Sequence, residues 1–366
     1  MHSAQLFIGI MSGTSLDGID VALCDLKNHQ CQVIATHFLA YPQALKTQLL
    51  QLHTATENEL ETTVLTANEL AFLYAKAVNS LLEKQNIKAE AITAIGCHGQ
   101  TIRHRPELGF TVQIGNAALL AELINITVVS DFRSRDIAAG GQGAPLVPAF
   151  HQAIFGASQS NRALINLGGI ANITYLAKSG EVLGFDSGPG NMLLDAWTKQ
   201  HLGKDYDANG AWATTGEVIE PLLLKMLAEP YFALPPPKST GRDLFNDAWL
   251  NQFLGKEIYR AEDVAHTLVA LTARTIHDSL AQYCGDVNSV YVCGGGSHNT
   301  LLIAHLQKML INTQLSSTAD LGLGVDWVEA AAFAWLAKQT IDHKPSNLPA
   351  VTGAKGLRVL GAIYSA

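Results

Sequence analysis

The chain has 366 residues, 24 Lys and Arg against 32 Asp and Glu, a formal charge of −8, 48% hydrophobic residues and only 15% charged ones. At ~150 residues per domain this length predicts two domains, and the apolar fraction excludes a disordered chain and predicts sizeable buried cores. The acidic balance gives no electrostatic reason to expect nucleic acid or an anionic membrane as partner, so an anionic ligand would have to be held by local geometry.

Residues 5–26 read as two apolar strands joined by a turn rich in Gly, Ser, Thr and Asp, and a third alternating run follows from Cys31 to Tyr41. Residues 43–53 and 57–85 carry helical spacing, the latter through Leu60, Val64, Ala67, Leu70, Leu73, Ala77 and Leu81. Short strands are predicted at Ala94–Cys97, Phe110–Ile114 and Ile126–Ser130, with a helix from about Asn116. The order restarts at residue 163, where ALINLGGIANITYLA again reads strand, Gly-rich turn, strand, followed by Val182–Phe185. Helices are expected at 190–201, 215–228, 243–254 and 262–283, then a strand at Val290–Cys293, a helix from His298 and a last one from Asp326. The repeated opening predicts a tandem duplication of one α/β unit with a cleft between the copies; two unrelated α/β domains are the alternative. The Pro-rich stretch 230–242 lacks periodicity and reads as a connector, a loop over the surface or the cleft mouth.

Cys24, Cys31, Cys97, Cys284 and Cys293 are an odd number with no CxxC pair, which fits a reduced compartment. No apolar stretch approaches the ~18 residues of a membrane span, and the N-terminal run Leu6–Met11 is too short for a signal-peptide core. A cytoplasmic enzyme is expected.

Three Gly-rich strand ends could carry chemistry. In the turn Ser12-Gly13-Thr14-Ser15-Leu16-Asp17-Gly18, small residues let backbone N–H groups and hydroxyls crowd round a phosphate, and Asp17 offers an oxygen to Mg²⁺, usually through water. The second turn, Gly168-Gly169 to Asn172, is followed by Asp186 at the end of an apolar run, before Gly188-Pro189-Gly190. The third, Gly294-Gly295-Gly296 to Asn299, ends a strand where backbone can approach a flat ligand. Together they suggest a nucleotide between two lobes; each alone is also a plain turn. No GxxxxGK[ST], GxSxG or HExxH occurs, and the GxGxxG register fails at Gly322 and Gly324, where Trp327 takes the last position.

The segments 9–20, 96–106, 131–151, 166–176, 184–197, 292–299 and 326–337 together resemble the anhydro-N-acetylmuramic acid kinase family, of the sugar kinase, heat-shock protein 70 and actin superfamily. Ser187 stands where that family usually has Thr, keeping the hydroxyl. The resemblance implies an α/β, two-lobed actin-like ATPase fold, each lobe a mixed sheet of ribonuclease H-like type, with an ATP cleft between them. It implies an N-terminal lobe over 1–130, a C-terminal lobe over 131–340, and a segment 341–366 packing back on the first lobe.

The implied reaction is opening of the 1,6-anhydro bridge by water with ATP-dependent phosphorylation of O6, in cell-wall recycling. Asp186 is then the candidate base for the water and Glu329 a second acidic contact, by the logic of paired carboxylates at an anomeric centre. ATP would lie on residues 12–18, Gly168, Gly169, Asn172, Gly188, Gly294–Gly296 and Asn299. Asp17 and Asp186 would hold Mg²⁺. His98, Gln100, Arg133 and Asp136 would face the sugar, with Arg133 pairing the lactyl carboxylate and Arg103 as its rival. A homodimer is implied as well. An enzyme acting on levoglucosan, and an ATPase that uses hydrolysis to move its lobes, are the alternatives.

Overall fold

The computed structural model describes residues 5–13, 15–28, 30–55 and 57–366. The chain divides into two compact units, one taking the chain through Phe155 together with Trp327–Ala366, the other Gly156–Asp326. In chain order the first strands are β1 (Leu6–Met11), β2 (Gly18–Asp25), β3 (Gln32–Ala40), β4 (Ile92–Cys97), β5 (Gln100–Arg105), β6 (Phe110–Ile114) and β7 (Val128–Ser130). They are followed by β8 (Arg162–Leu167), β9 (Ile170–Leu176), β10 (Val182–Pro189), β11 (Ser289–Cys293), β12 (Gln314–Ser317) and β13 (Ala362–Tyr364).

The sheet of the first unit runs β13-β7-β4-β1-β2-β3 and that of the second β10-β9-β8-β11-β12. In each, three opening strands form an antiparallel meander. The first of the three then pairs parallel with a fourth strand, which pairs parallel with a fifth. The same ribonuclease H-like order thus occurs twice, as the repeated Gly-rich hairpin predicts. Each unit has its own core, including Ile8, Ile10, Leu70 and Ile95 in the first and Ile165, Phe185, Leu271 and Val290 in the second.

The units divide at Phe155–Gly156 and Asp326–Trp327, whereas the sequence reading places the boundaries after 130 and 340. Packing explains the difference. The helix Val328–Ile341 lies on β1 and β4, and the helix Val147–Phe155 meets it through Phe150 and Trp335, ring centroids 6.1 Å apart. The strand β13 pairs antiparallel with β7, so the last segment is part of the first sheet.

The close approach of Val328–Ile341 has a local cause in the sequence. A Cβ on Gly9 would stand 1.7 Å from the Ala330 carbonyl oxygen, and one on Gly96 2.0 Å from that of Phe333. Ala330, Ala331, Ala334 and Ala337, all buried, keep the helix side equally thin. Two glycines on neighbouring parallel strands therefore form a seat for an alanine-rich helix whose first turn carries Glu329.

Candidate active site

In the first unit, β1 and β2 are joined by the loop that begins at Ser12 and ends at Gly18. Its base is locked. The Ser12 hydroxyl hydrogen-bonds the Tyr74 hydroxyl (2.8 Å) and donates to the Gly99 carbonyl (3.0 Å). Gln100, fully buried, donates from Nε2 to the Gly13 carbonyl (3.0 Å) and accepts from the Tyr41 hydroxyl at Oε1 (3.3 Å). His98 donates from Nδ1 to the Ser12 carbonyl (3.3 Å). Two of the four residues expected at the sugar, His98 and Gln100, are thus turned onto the backbone of the first loop. Thr14 lies outside the described residues.

Further along, Leu16 adopts a left-handed backbone (φ 58°) and buries its side chain, so only its backbone faces the loop. Ser15 and Asp17 are exposed; the Ser15 hydroxyl (2.7 Å) and the Gly18 N–H (3.0 Å) both donate to Asp17 Oδ1. Among the described residues both bonds of this carboxylate fall on Oδ1. A solvent-exposed carboxylate of this kind fits a Mg²⁺ that keeps several waters, rather than an all-protein cage. No group of three His, Cys, Asp or Glu suited to such a cage occurs among the described residues.

Arg133 connects this loop to a second turn. Its Nε (3.2 Å) and one terminal nitrogen (3.0 Å) donate to His98 Nε2, and the other donates to the Gly143 carbonyl (2.8 Å). His98 is therefore the neutral Nδ1–H tautomer, and burial with the Arg133 charge holds its pKa down to about 3. Burial also lowers Arg133, to about 10, opposed by Glu329 and Asp136, so it stays cationic at neutral pH. The N–H groups it does not use on His98 and Gly143 remain for an anion. Arg103 is instead paired with Glu59. Glu329, half-buried, has its pKa raised by burial, lowered by Arg133 and raised again by Asp17, so these three charges feel one another.

The depressed pKa of His98 makes it an acid-sensitive element. Between about pH 6.5 and pH 3 the unfolded chain binds a proton that the folded imidazole refuses, so stability falls as pH drops through that window, by up to ~1.4 kcal/mol per pH unit. Urea unfolding of wild type and His98→Gln at several pH values checks this: the variant's stability is expected to fall less steeply with acid.

Asp136 is engaged on the protein itself. It is fully buried, and its carboxylate accepts from the Gly143 N–H (2.8 Å), Asn347 Nδ2 (2.7 Å) and the Thr352 hydroxyl (2.8 Å). Where the sequence suggests a substrate contact, the structure shows this carboxylate tying the 140–143 turn to the chain's last twenty residues. Asp136→Ala, which takes a buried acceptor from three donors at once, is expected to cost on the order of 3 kcal/mol of stability, read by thermal or urea unfolding.

In the second unit, Asp186 stands near the end of β10, opposite Asn172 of β9, where the register shifts. Its carboxylate accepts the Thr240 N–H at Oδ2 (3.0 Å). Burial pushes its pKa up to about 7, opposed by that hydrogen bond and by Lys238. A base that is largely neutral below pH 7 and ionised above it is matched to proton transfer near neutrality. The Ser187 hydroxyl donates to the Ala171 carbonyl (3.0 Å), bonding β10 to β9. The Gly168–Gly169 turn is held by the N–H groups of Gly190 (2.9 Å) and Asn191 (2.8 Å).

The expected ligand-facing glycines separate into two groups. A Cβ on Gly18, Gly188, Gly294 or Gly296 would collide with Leu39, Phe232, Asn166 or Leu167 respectively, so these are packing positions first. Gly13, Gly168, Gly169 and Gly295 leave room for a Cβ. Asn299 caps the helix Thr300–Met309, its Oδ1 accepting the Leu302 N–H (3.1 Å), so that oxygen is taken.

Sequence reasoning missed Tyr231, Lys238 and Thr240, which surround Asp186. The only signal was a Lys-Ser-Thr triplet directly after three prolines in a stretch read as a connector. No helix among the described residues is long and apolar enough to cross a membrane.

The sequence model of the anhydro-N-acetylmuramic acid kinase family matches residues 5–366. The chain is 55% identical over 363 residues to the anhydro-N-acetylmuramic acid kinase of Nitrosomonas europaea, covering 98% of this chain and 99% of that one. It is 52% identical over 365 residues to the protein of the same name from Nitrosospira multiformis, covering 99% and 100%. Among solved structures, the activator of the 2-hydroxyisocaproyl-CoA dehydratase from Clostridium difficile with bound ADPNP is 13% identical, covers 93% of this chain and 98% of that one, and has a TM-score of 0.47. With the family model matching residues 5–366, a span that includes both Gly-rich hairpins, Asp186 and Glu329, the chain belongs to the anhydro-N-acetylmuramic acid kinase family.

Proposed function

We propose that this protein is an ATP-dependent kinase that adds water across the 1,6-anhydro bridge of anhydro-N-acetylmuramic acid and phosphorylates O6, giving N-acetylmuramate 6-phosphate and ADP. The observation that carries the chemistry is Asp186: a carboxylate near a strand end, pushed by burial to a pKa of about 7, can take a proton from water at neutral pH. In the reaction the water oxygen bonds C1 as its proton passes to Asp186, and the C1–O6 bond breaks. O6 then takes the γ-phosphoryl group and ADP leaves. Coupling the steps gives the charge developing on O6 an immediate acceptor.

Glu329 is assigned to the sugar or the water as a second acidic contact, its raised pKa favouring the protonated form relative to an ordinary Glu. Arg133 is assigned to the lactyl carboxylate through the donors left over from His98 and Gly143. His98 is reassigned from substrate contact to support of the first phosphate loop and of Arg133. The backbone of 12–18, Gly168 and Gly169, and Gly295 are assigned to the nucleotide, the last three because they carry no side chain where one would fit. Mg²⁺, held through water by Asp17 and by Asp186, would neutralise the β- and γ-phosphate oxygens when bound. A homodimer, a cytoplasmic location and a role in recycling cell-wall sugars complete the proposal.

The test is incubation with Mg²⁺-ATP in ¹⁸O water, separately with anhydro-N-acetylmuramic acid and levoglucosan, followed by mass spectrometry. Label at C1 of a 6-phosphorylated muramic acid is expected. Preference for levoglucosan would overturn the substrate, and ADP formed with neither sugar altered would overturn the kinase.

A further inference from the structure

The stretch 230–242 is bound to Asp186 at three points. β10 is an edge strand, so Asp186 has no neighbouring strand on its outer side. The stretch supplies the missing partners: the Asp186 N–H donates to the Lys238 carbonyl (3.0 Å), and the Tyr231 hydroxyl donates to the Asp186 carbonyl (2.8 Å). The third bond is from the Thr240 N–H to the carboxylate itself (3.0 Å). The register of β10 against β9 shifts between Asp186 and Gly188, and irregularities of this kind re-aim side chains. The direction of the carboxylate is therefore fixed from the stretch as well as from the sheet.

Lys238 holds that stretch together. It is only 7% exposed. Its ammonium lies 3.3 Å from the Phe232 carbonyl and 3.5 Å from that of Tyr231, and stands over the rings of Tyr231 (4.9 Å) and Tyr283 (5.7 Å). Burying an ammonium is costly unless carbonyls and ring faces replace its water. A plain connector would have no use for that cost. Here the cation ties residue 238 back to 231 and 232, closing the segment, and acts electrostatically on Asp186.

We propose that Lys238 and Tyr231 are positioning residues for Asp186: the segment from Tyr231 to Thr240 is a clamp that aims the carboxylate, and the buried ammonium keeps the clamp shut. The inference rests on the assignment of Asp186 as the base. It follows that these residues serve turnover rather than affinity, because they act through a group that matters in the transition state.

The experiment compares Lys238→Met, Lys238→Arg and Tyr231→Phe with wild type in steady-state kinetics on anhydro-N-acetylmuramic acid and Mg²⁺-ATP, with thermal unfolding as a check on folding. Lys238→Met is expected to lower kcat by about 100-fold and Tyr231→Phe by about 10-fold, with both KM values within about twofold of wild type, as for a misaimed catalytic group. Lys238→Arg, which keeps the cation, is expected to recover most of the loss. Should Lys238→Met fail to fold, Tyr231→Phe, which removes a single oxygen, still decides. Variants whose kcat stays within about threefold of wild type, or whose only change is a raised KM, would overturn the inference while leaving the kinase reading intact. A wild-type chain that phosphorylates no anhydrosugar would overturn both.

Discussion

Asp186→Asn is expected to abolish turnover of the anhydrosugar while leaving ATP bound. The amide is nearly isosteric, and its oxygen can still accept the Thr240 N–H, so the local fold has little reason to change. What is lost is the ability to take a proton from the attacking water, together with the charge that Asp186 is proposed to offer Mg²⁺. General-base catalysis contributes about 10²- to 10⁴-fold, so kcat should fall by at least two orders of magnitude. ADP release followed in a coupled assay measures this, and ATP-dependent thermal stabilisation measures nucleotide binding separately. Survival of more than about a tenth of the activity, a barrier change below ~1.4 kcal/mol, would remove Asp186 from the role of base.

The second large effect is structural. Gly9→Ala is expected to destabilise the first unit by 3 kcal/mol or more, at or beyond the upper end of the ~1–3 kcal/mol typical of overpacking. The reason is that the new methyl would meet backbone atoms rather than a mobile side chain: Ala330 O at 1.7 Å and Ala334 N at 2.7 Å. Only displacement of the helix Val328–Ile341 relieves the clash, and that displacement carries Glu329 with it. Gly295→Ala is the matched control, since nothing lies within 4 Å of its added Cβ. It should unfold like wild type, and if the nucleotide assignment holds, the KM for ATP should rise. Equal unfolding curves for Gly9→Ala and wild type would disprove the seat.

Much of this was legible in the sequence because the repeat is a pattern of backbone needs. The Gly-rich turns after β1 and β8 and the apolar runs of β4 and β11 announce the two sheets directly. The ribbon β5–β6 was half hidden: Gln100, Thr101, Arg103, His104 and Arg105 give β5 no apolar face to recognise. β12 and β13 are too short to show a period at all. At the site, Asp186 was recognisable because a carboxylate closing an apolar strand is conspicuous. The bonds of Gln100 and Asp136 to backbone were hidden because polar residues near Gly-rich turns satisfy backbone as readily as ligands, and sequence does not say which. The clamp was missed because its contacts to Asp186 join residues about fifty positions apart, through backbone groups and one hydroxyl.

The boundaries of the two units bear on how the chain is made. The second unit is one uninterrupted segment, Gly156–Asp326, whereas the first needs Trp327–Ala366 to finish its sheet and cover its glycine-bearing strands. On a ribosome the second unit can therefore fold as soon as it emerges. The older, N-terminal strands must meanwhile wait with β1 and β4 uncovered on the helix side and β7 unpaired along one edge. Between synthesis of residue 155 and residue 366 these apolar surfaces have no partner in the chain, and slowing translation across 156–326 is expected to lower soluble yield more than slowing it across the first hundred residues.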